Sequence, residues 1–417
     1  MGNISEQFDF HLPSDLIAQD PAKRRGDSRL LLVEPRQGIS GELVFRDLPS
    51  VLRSGDLLVM NQSRVLPARL FTRRADTGGK VEILLIRPAE TERTWIAMAR
   101  PTRRLKPGTR LEILPGPLSR TVTPDDSPPS LEVVEKRDDG MILVHGPVDP
   151  ADLAEAWGSM PLPPYIRRED SGPEGIRRAG RDLERYQTVF AKSEKSKAGS
   201  VAAPTAGLHF SASSLVELAE LGVRTAHLTL HIGPGTFQPP SPAQLQSGRL
   251  HREDFHLPAE TLSAVAETRA SGGRVIAVGT TSLRVLETAS RLDLDGYTIN
   301  GALPAGAEPV DCTGEELNFP GDGREAPFSF CGRAVRRNGA WELTGHTRLF
   351  IRPPDRVTAV DGLLTNFHLP GSSLLMLVAS LMGPETWLPV YRYAVENRLR
   401  FYSYGDCMLI LPGLERS

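Results

Sequence analysis

The sequence predicts an α/β fold: a larger mixed α/β domain with a small antiparallel β-barrel domain inserted. Three observations predict it. Short strand-like runs recur without helical periodicity from Val65 to about Val144. Mixed strand and helix texture lies on both sides of that stretch. The run Arg274-Val-Ile-Ala-Val-Gly279 leads straight through Thr280-Thr-Ser282 into the helical pattern Leu283 to Ala289. A buried strand, a glycine turn and a hydroxyl cap before a helix make a βα unit. The expected division is residues 1–62 with 150–417 for the α/β domain and 63–149 for the barrel.

The elements follow in order. Ser14 or Asp15 is placed to cap a short helix after Pro13. Leu30 to Val33 and Leu57 to Met60 are apolar runs of buried-strand length. Six barrel strands are read at Val65–Phe71, Val81–Ile86, Trp95–Ala99, Thr109–Ile113, Leu131–Val134 and Met141–Val144. Gly78-Gly79, Pro107-Gly108, Pro115-Gly116 and Asp139-Gly140 punctuate them as turns. Beyond Ala151, Ser211 to Leu221 and Ala259 to Ser271 read as amphipathic helices. Leu374 to Met382 and Pro389 to Arg398 read as C-terminal helices, and Cys407 to Leu411 as a last strand. Leu292 to Ala340, rich in Gly, Pro and acids, reads as a long irregular insertion.

Composition bounds the function classes. With 417 residues, 40% hydrophobic and 24% charged, the chain has ordinary globular composition and length for two cores. No apolar run reaches the ~18 residues of a membrane helix. Met1 to Asp20 lacks a signal-peptide pattern, and Glu6 breaks the myristoylation pattern at Gly2. A cytoplasmic protein, a monomer without a membrane partner, is expected. Cys312, Cys331 and Cys407 show no C-x-x-C spacing, so neither disulfides nor a structural metal are expected. Net charge is −2, so any polyanion would be met by local patches.

Five constellations are candidates for chemistry. Gly199 to Phe210 is a run of small residues with Ser200, Thr205, Gly207 and His209, which lets backbone approach a ligand closely. Leu228 to Phe237 places His231 at the exit of a strand, followed by Gly233, Pro234, Gly235 and Thr236. In Leu364 to Ser373, Asn366 and His368 precede a Pro-Gly turn, with Ser372 or Ser373 capping a helix. The turn Gly279-Thr280-Thr281-Ser282 lacks G-x-G-x-x-G spacing, which argues against a Rossmann dinucleotide site. The fifth is basic: Arg100 to Arg110 carries five cations and no acid, with Arg64, Arg69, Arg73 and Arg74 upstream. Phosphate contacts need such charge, and Tyr165 and Tyr186 beside Arg clusters are suited to stacking on unpaired bases. Each constellation alone also reads as a loop, a helix cap or a solvated face, and the third and fifth more readily so. The three histidines lack an H-E-x-x-H pattern, so no metal is expected. An RNA-binding protein without catalysis and an S-adenosylmethionine-dependent RNA methyltransferase stand as alternatives.

Taken in order, these segments resemble one family. The matching text is Phe8 to Pro13, Asn61 to Arg69, Met160 to Ile166, Arg185 to Thr188, Ser200 to Phe210, Leu230 to Gln238, Gly279 to Arg284, Thr365 to Pro370 and Phe401 to Asp406. This collinear set resembles the S-adenosylmethionine:tRNA ribosyltransferase-isomerases of queuosine biosynthesis. Two departures stand out, a longer loop at Ser193 to Ala198 and an enlarged region from Leu292 to Arg348.

The resemblance implies an α/β domain carrying an inserted β-barrel. It implies transfer and isomerisation of the ribosyl moiety of S-adenosylmethionine onto 7-aminomethyl-7-deazaguanine at the tRNA wobble position. Epoxyqueuosine-tRNA, adenine and methionine are the products, the cosubstrate is consumed, and no resident cofactor is expected. An attacking amine must be neutral, hydrogen next to the sulfonium must be labilised, and adenine leaves more easily when protonated; imidazoles suit these tasks. His209 and His231 are thus the leading acid/base candidates and His368 the third, with Asp9 and His11 as helpers. Ser200, Thr205, Gly207, Gly233, Gly235, Thr236, Thr280, Thr281, Ser282 and Asn366 are expected on the cosubstrate. Arg284 is expected on its methionine carboxylate. Arg64, Arg69, Arg103, Arg104 and Tyr186 are expected to touch RNA.

Overall fold

The structure is a computed structural model that describes residues 7–116, 128–137, 140–168, 172–192, 199–237, 239–292, 317–321, 324–337 and 340–414. The expected loop at 193–198 lies outside the described residues.

Strands β1 (Arg29–Glu34), β2 (Gly38–Val44) and β3 (Leu57–Asn61) open the α/β part. The chain then leaves it to build six barrel strands: β4 (Arg69–Arg74), β5 (Lys80–Pro88), β6 (Thr94–Arg100), β7 (Arg110–Ile113), β8 (Ser130–Lys136) and β9 (Ile142–His145). It returns with β10 (Arg224–Leu230), β11 (Arg249–Leu257), β12 (Val275–Val278), β13 (Leu317–Gly321), β14 (Arg324–Arg337), β15 (Ala340–Leu349), β16 (Gly362–Asn366) and β17 (Cys407–Ile410). These and β1 to β3 form one mixed sheet in the order β13-β14-β15-β11-β10-β3-β12-β16-β17-β1-β2.

Its centre is parallel: β10 pairs with β3, β3 with β12, and β12 with β16. Every residue of β3, β12 and β16 is buried, as strands covered on both faces require. Alternation then sorts their side chains between two cores. Leu57, Val59, Val275, Ala277 and Leu363 face helices Ala259–Ala270, Thr280–Ser290 and Ser373–Met382. Leu58, Met60, Ile276, Val278 and Leu364 face Phe45, Leu48, Phe210 and Leu218.

The barrel closes in the order β4-β5-β6-β9-β8-β7. Its core is built from alternate residues such as Leu70, Val81, Ile83, Leu85, Trp95 and Leu111, and helix Pro150–Trp157 adds Leu153 and Ala154. Because it is inserted where β3 ends, the barrel sits at the carboxyl end of the parallel strands. Bridges Val65 to Ser200 and Arg69 to Ser159 tie its neck to the larger part.

Two readings are corrected. The region expected to be irregular up to Ala340 contains β13, β14 and the start of β15, which extend the sheet in antiparallel register. Residues 293–316 of it lie outside the described residues. Gly and Pro content concealed the alternation that buries Ala334, Trp341 and Leu343. At Pro13, the expected cap is a single turn of 3-10 helix, Ser14–Leu16, with no side-chain cap. Among the described helices, no single one is long and apolar enough to cross a membrane.

Candidate active site

The carboxyl ends of β10, β3, β12 and β16 lie side by side, and the expected motifs follow three of them. His231 follows β10, the Gly279 turn follows β12, and Phe367-His368 follows β16. Asn61, the last residue of β3, joins them. Its Oδ1 accepts from the Leu230 and Ser63 N–H groups at 3.1 and 3.0 Å, while Nδ2 donates to the Leu230 carbonyl at 3.0 Å. Thr281 Oγ1 is 3.4 Å from the same nitrogen. One buried amide thus ties three strand ends together. Asn61 fell within a quoted segment but was not read as a site residue, because its neighbours are set by strand order.

Above these ends opens a cleft lined by Pro204, Thr205, Thr236, Thr280, Thr281, Asn366 and His368 among others. Gly279 makes the turn possible: its φ is +87°, a conformation that favours glycine. The helix Thr280–Ser290 therefore begins at the cleft, with Thr280 and Thr281 in its first turn. Opposite stands an aromatic wall in which Tyr165 and Tyr402 stack at 4.3 Å and 20°. The Tyr165 hydroxyl is 2.6 Å from Ser403 Oγ. Tyr402 itself has φ +71°, a strained backbone for a bulky residue. The described lining contains no Asp, Glu, Lys or Arg.

His368 is the one imidazole among these lining residues. Its Nε2 lies 2.9 Å from Thr365 Oγ1, and its N–H donates to the Tyr391 hydroxyl at 3.2 Å. Burial pushes its pKa down to about 3, so the ring is neutral at pH 7.

His231 and His209 lie elsewhere. His231 lines a second cleft, between the sheet and barrel residues Ile86, Arg87, Met98 and Met141. Gly233 and Gly235 line that cleft too, whereas Thr236 lines the first and Ile232 lines both. The segment after β10 is therefore a partition between two clefts. His209 closes a 3-10 turn, Thr205–His209, and its ring lies against Phe45 at 5.2 Å. It is outside the cleft lining. Its Nε2 is 3.2 Å from Asn366 Nδ2, and burial lowers its pKa to about 4.

Several expected cosubstrate contacts are outside the lining of this first cleft. Ser200 is fully buried, with Oγ donating to the Ala202 carbonyl and accepting from the Ile232 N–H. Ser282 donates back to the carbonyl of Val278, the last residue of β12. Gly207 packs where a Cβ would strike Phe190 and Thr188. Arg284 is also outside that lining. Its buried guanidinium is paired with the buried carboxylate of Glu253. Glu253 Oε1 also accepts from Thr236 Oγ1 at 3.1 Å and lies 3.1 Å from His251 Nε2, which holds the partition. Sequence reasoning missed Glu253 because two of its partners, Thr236 and Arg284, come from segments distant in sequence.

Asp9 and His11 are exposed and outside the cleft lining. The expected RNA residues also divide. Tyr186 is fully buried beside Tyr404 and has no face to offer a base. Arg64 pairs with Glu155, and Arg69 with Glu82. Arg103 and Arg104 are exposed on the barrel, in the turn after β6. Among the described residues, no group of three or more His, Cys, Asp or Glu is placed to hold a metal ion.

Comparison with known proteins identifies the family. Residues 5–410 match the family described as Queuosine biosynthesis protein. The S-adenosylmethionine:tRNA ribosyltransferase-isomerase of Pelobacter propionicus is 42% identical, covering 98% of this chain and 99% of that one. That of Thermus thermophilus is 41% identical, with 97% and 99% covered. A solved S-adenosylmethionine tRNA ribosyltransferase from Thermotoga maritima is 30% identical over 97% of this chain and 100% of that one, at a TM-score of 0.47. With the full-length match and the ordered motifs gathered at one sheet end, the chain belongs to the S-adenosylmethionine:tRNA ribosyltransferase-isomerase family of queuosine biosynthesis.

Proposed function

We propose that this protein transfers and isomerises the ribosyl moiety of S-adenosylmethionine onto 7-aminomethyl-7-deazaguanine at the tRNA wobble position. Epoxyqueuosine-tRNA, adenine and methionine are the products. S-adenosylmethionine is consumed as a cosubstrate and no resident cofactor takes part. The protein acts as a monomer in the cytoplasm, where its tRNA is found.

The observation that carries this reading is the cleft itself, four strand ends converging on a pocket whose described lining holds no ionised side chain. A sulfonium bound there loses hydration without gaining a counter-charge. Burial disfavours the charged form, so loss of a proton from carbon next to sulfur, which gives a neutral ylide, becomes easier. The stacked Tyr165 and Tyr402 offer an aromatic face to a base. We assign Thr205, Thr236, Thr280, Thr281 and Asn366 to the cosubstrate.

Proton handling is assigned to His368 in the first cleft and His231 in the second. A neutral imidazole at pH 7 is the form that accepts a proton from an attacking amine. The barrel-side cleft at His231, Gly233 and Gly235 is assigned to the approach of the substrate nucleotide toward the first cleft, and the exposed Arg103 and Arg104 to tRNA phosphates.

The test is a product analysis. The protein is incubated with S-adenosylmethionine and substrate tRNA, and the small molecules are separated. Free adenine with free methionine is expected. S-adenosylhomocysteine would mean methyl transfer, and no small-molecule product would mean a binding protein.

A further inference from the structure

Asn366 is buried to 2% exposure, yet it lines the cleft. Its two ends are not equivalent. Nδ2 faces the Tyr402 carbonyl at 3.1 Å, the Asp406 carbonyl at 3.4 Å and His209 Nε2 at 3.2 Å. Carbonyl oxygens only accept, so turning the amide over would set Oδ1 against two other oxygens. The orientation is therefore fixed by chemistry. Oδ1 has no hydrogen-bond partner among the described residues. A buried acceptor left unmade is costly, and its natural remedy is a donor brought by a ligand.

His209 completes the arrangement. Facing an N–H donor, its Nε2 must be the acceptor, so the neutral ring carries its proton on Nδ1. Stacking on Phe45 holds the ring in place. An imidazole in that state, outside the first cleft's lining, serves as an acceptor toward Asn366.

We propose that Asn366 Oδ1 accepts a hydrogen bond from the exocyclic amino group of a heteroaromatic base in the cleft, and that His209 is a positioning residue that locks Asn366 for this contact. The amino group belongs either to the adenine of the cosubstrate or to the deazaguanine of the substrate; the chemistry is shared. The inference rests on the ribosyl-transfer reading, since it takes such a base as the occupant.

The test compares binding of two ligand pairs by titration calorimetry. One pair is S-adenosylmethionine and its analogue with unsubstituted purine in place of adenine. The other is 7-aminomethyl-7-deazaguanine and the same base without its 2-amino group. The wild type is expected to prefer the amino-bearing member of one pair by roughly 10- to 100-fold, as an unpaired buried acceptor costs. The pair that shows the preference identifies the source. Asn366→Leu should erase the preference. His209→Phe, which keeps the stacked ring, should weaken it about tenfold, and His209→Gln, whose amide oxygen restores an acceptor, should recover most of it.

Equal binding within both pairs by the wild type overturns the inference while leaving the ribosyl-transfer reading standing. Failure of the wild type to bind any of the four overturns both. A measurement on the unmutated protein guards against variants that do not fold: ring-nitrogen NMR of His209 at pH 7 should show Nδ1 protonated and Nε2 bare. A proton on Nε2 overturns the lock.

Discussion

The most informative single residues are those whose charge state burial decides. His209 and His368 titrate at about 4 and about 3 because their burial penalises the imidazolium. In the unfolded chain an imidazole titrates near ~6.5. Above that value both states are neutral and stability is flat. Below it the unfolded chain binds protons that the folded chain refuses, so stability is lost as pH falls toward about 4. At pH 5 the loss is on the order of 2 kcal/mol per buried imidazole. Urea midpoints taken from pH 7.5 to pH 5 should fall accordingly, and the fall should be smaller in His209→Phe. Identical pH slopes for the two proteins would refute the assignment. The Glu253–Arg284 pair gives a second expectation at this scale. Arg284→Met leaves a buried carboxylate without its cation, which costs about 3–5 kcal/mol. Adding Glu253→Gln to it should recover part of that loss, measured by denaturant unfolding; a double variant no more stable than Arg284→Met would count against a buried-charge penalty.

At the scale of elements, what was legible follows from what each signal depends on. Buried strands announced themselves by continuous apolar runs, as Leu57 to Met60 and Val275 to Val278 do, because parallel strands have no polar face. The βα turn at Gly279 was legible because strand, glycine and hydroxyls adjoin in sequence. Strands β13 to β15 were not, since their pairing is with each other and with β11 rather than with a local periodicity. The same distinction governs the site. Thr205, Thr280, Asn366 and His368 stand in or beside turns whose small residues mark a lining. Ser200 and Ser282 looked alike in sequence, but their hydroxyls turn back onto the backbone. Gly279 tests the turn directly. Its Cβ position has room, with Thr281 Oγ1 at 3.6 Å and Ala206 at 3.7 Å, so Gly279→Ala meets strain only through φ. A cost of about 1–2 kcal/mol is expected, together with weaker S-adenosylmethionine binding, because Thr280 and Thr281 ride on that turn. Unchanged stability would show that the backbone relaxes out of the left-handed region.

For the whole molecule, the placement of the barrel decides how a large polyanion meets a small cleft. Insertion after β3 brings the barrel to the same end of the sheet as the four strand ends, and the second cleft opens between them. A tRNA base delivered there needs its backbone held nearby, and a chain of net charge −2 has no general attraction to supply that. The hold must come from local cations. Arg64, Arg69, Arg73 and Arg74 are each paired with a carboxylate, which leaves them little net field. Arg103 and Arg104 are exposed and have no carboxylate partner among the described residues. Each phosphate neutralised releases counterions and adds roughly 0.7–0.9 to the slope of log affinity against log salt. Arg103→Ala with Arg104→Ala should therefore weaken tRNA binding and flatten that slope by about 1.5, with affinity for free S-adenosylmethionine unchanged. Because the two side chains are solvated and outside every core, the double variant should unfold at the wild-type denaturant midpoint. An unchanged salt slope would remove the barrel tip from the RNA surface and shift the search to the polar groove beside Arg64, Lys192 and Arg224 at the barrel neck.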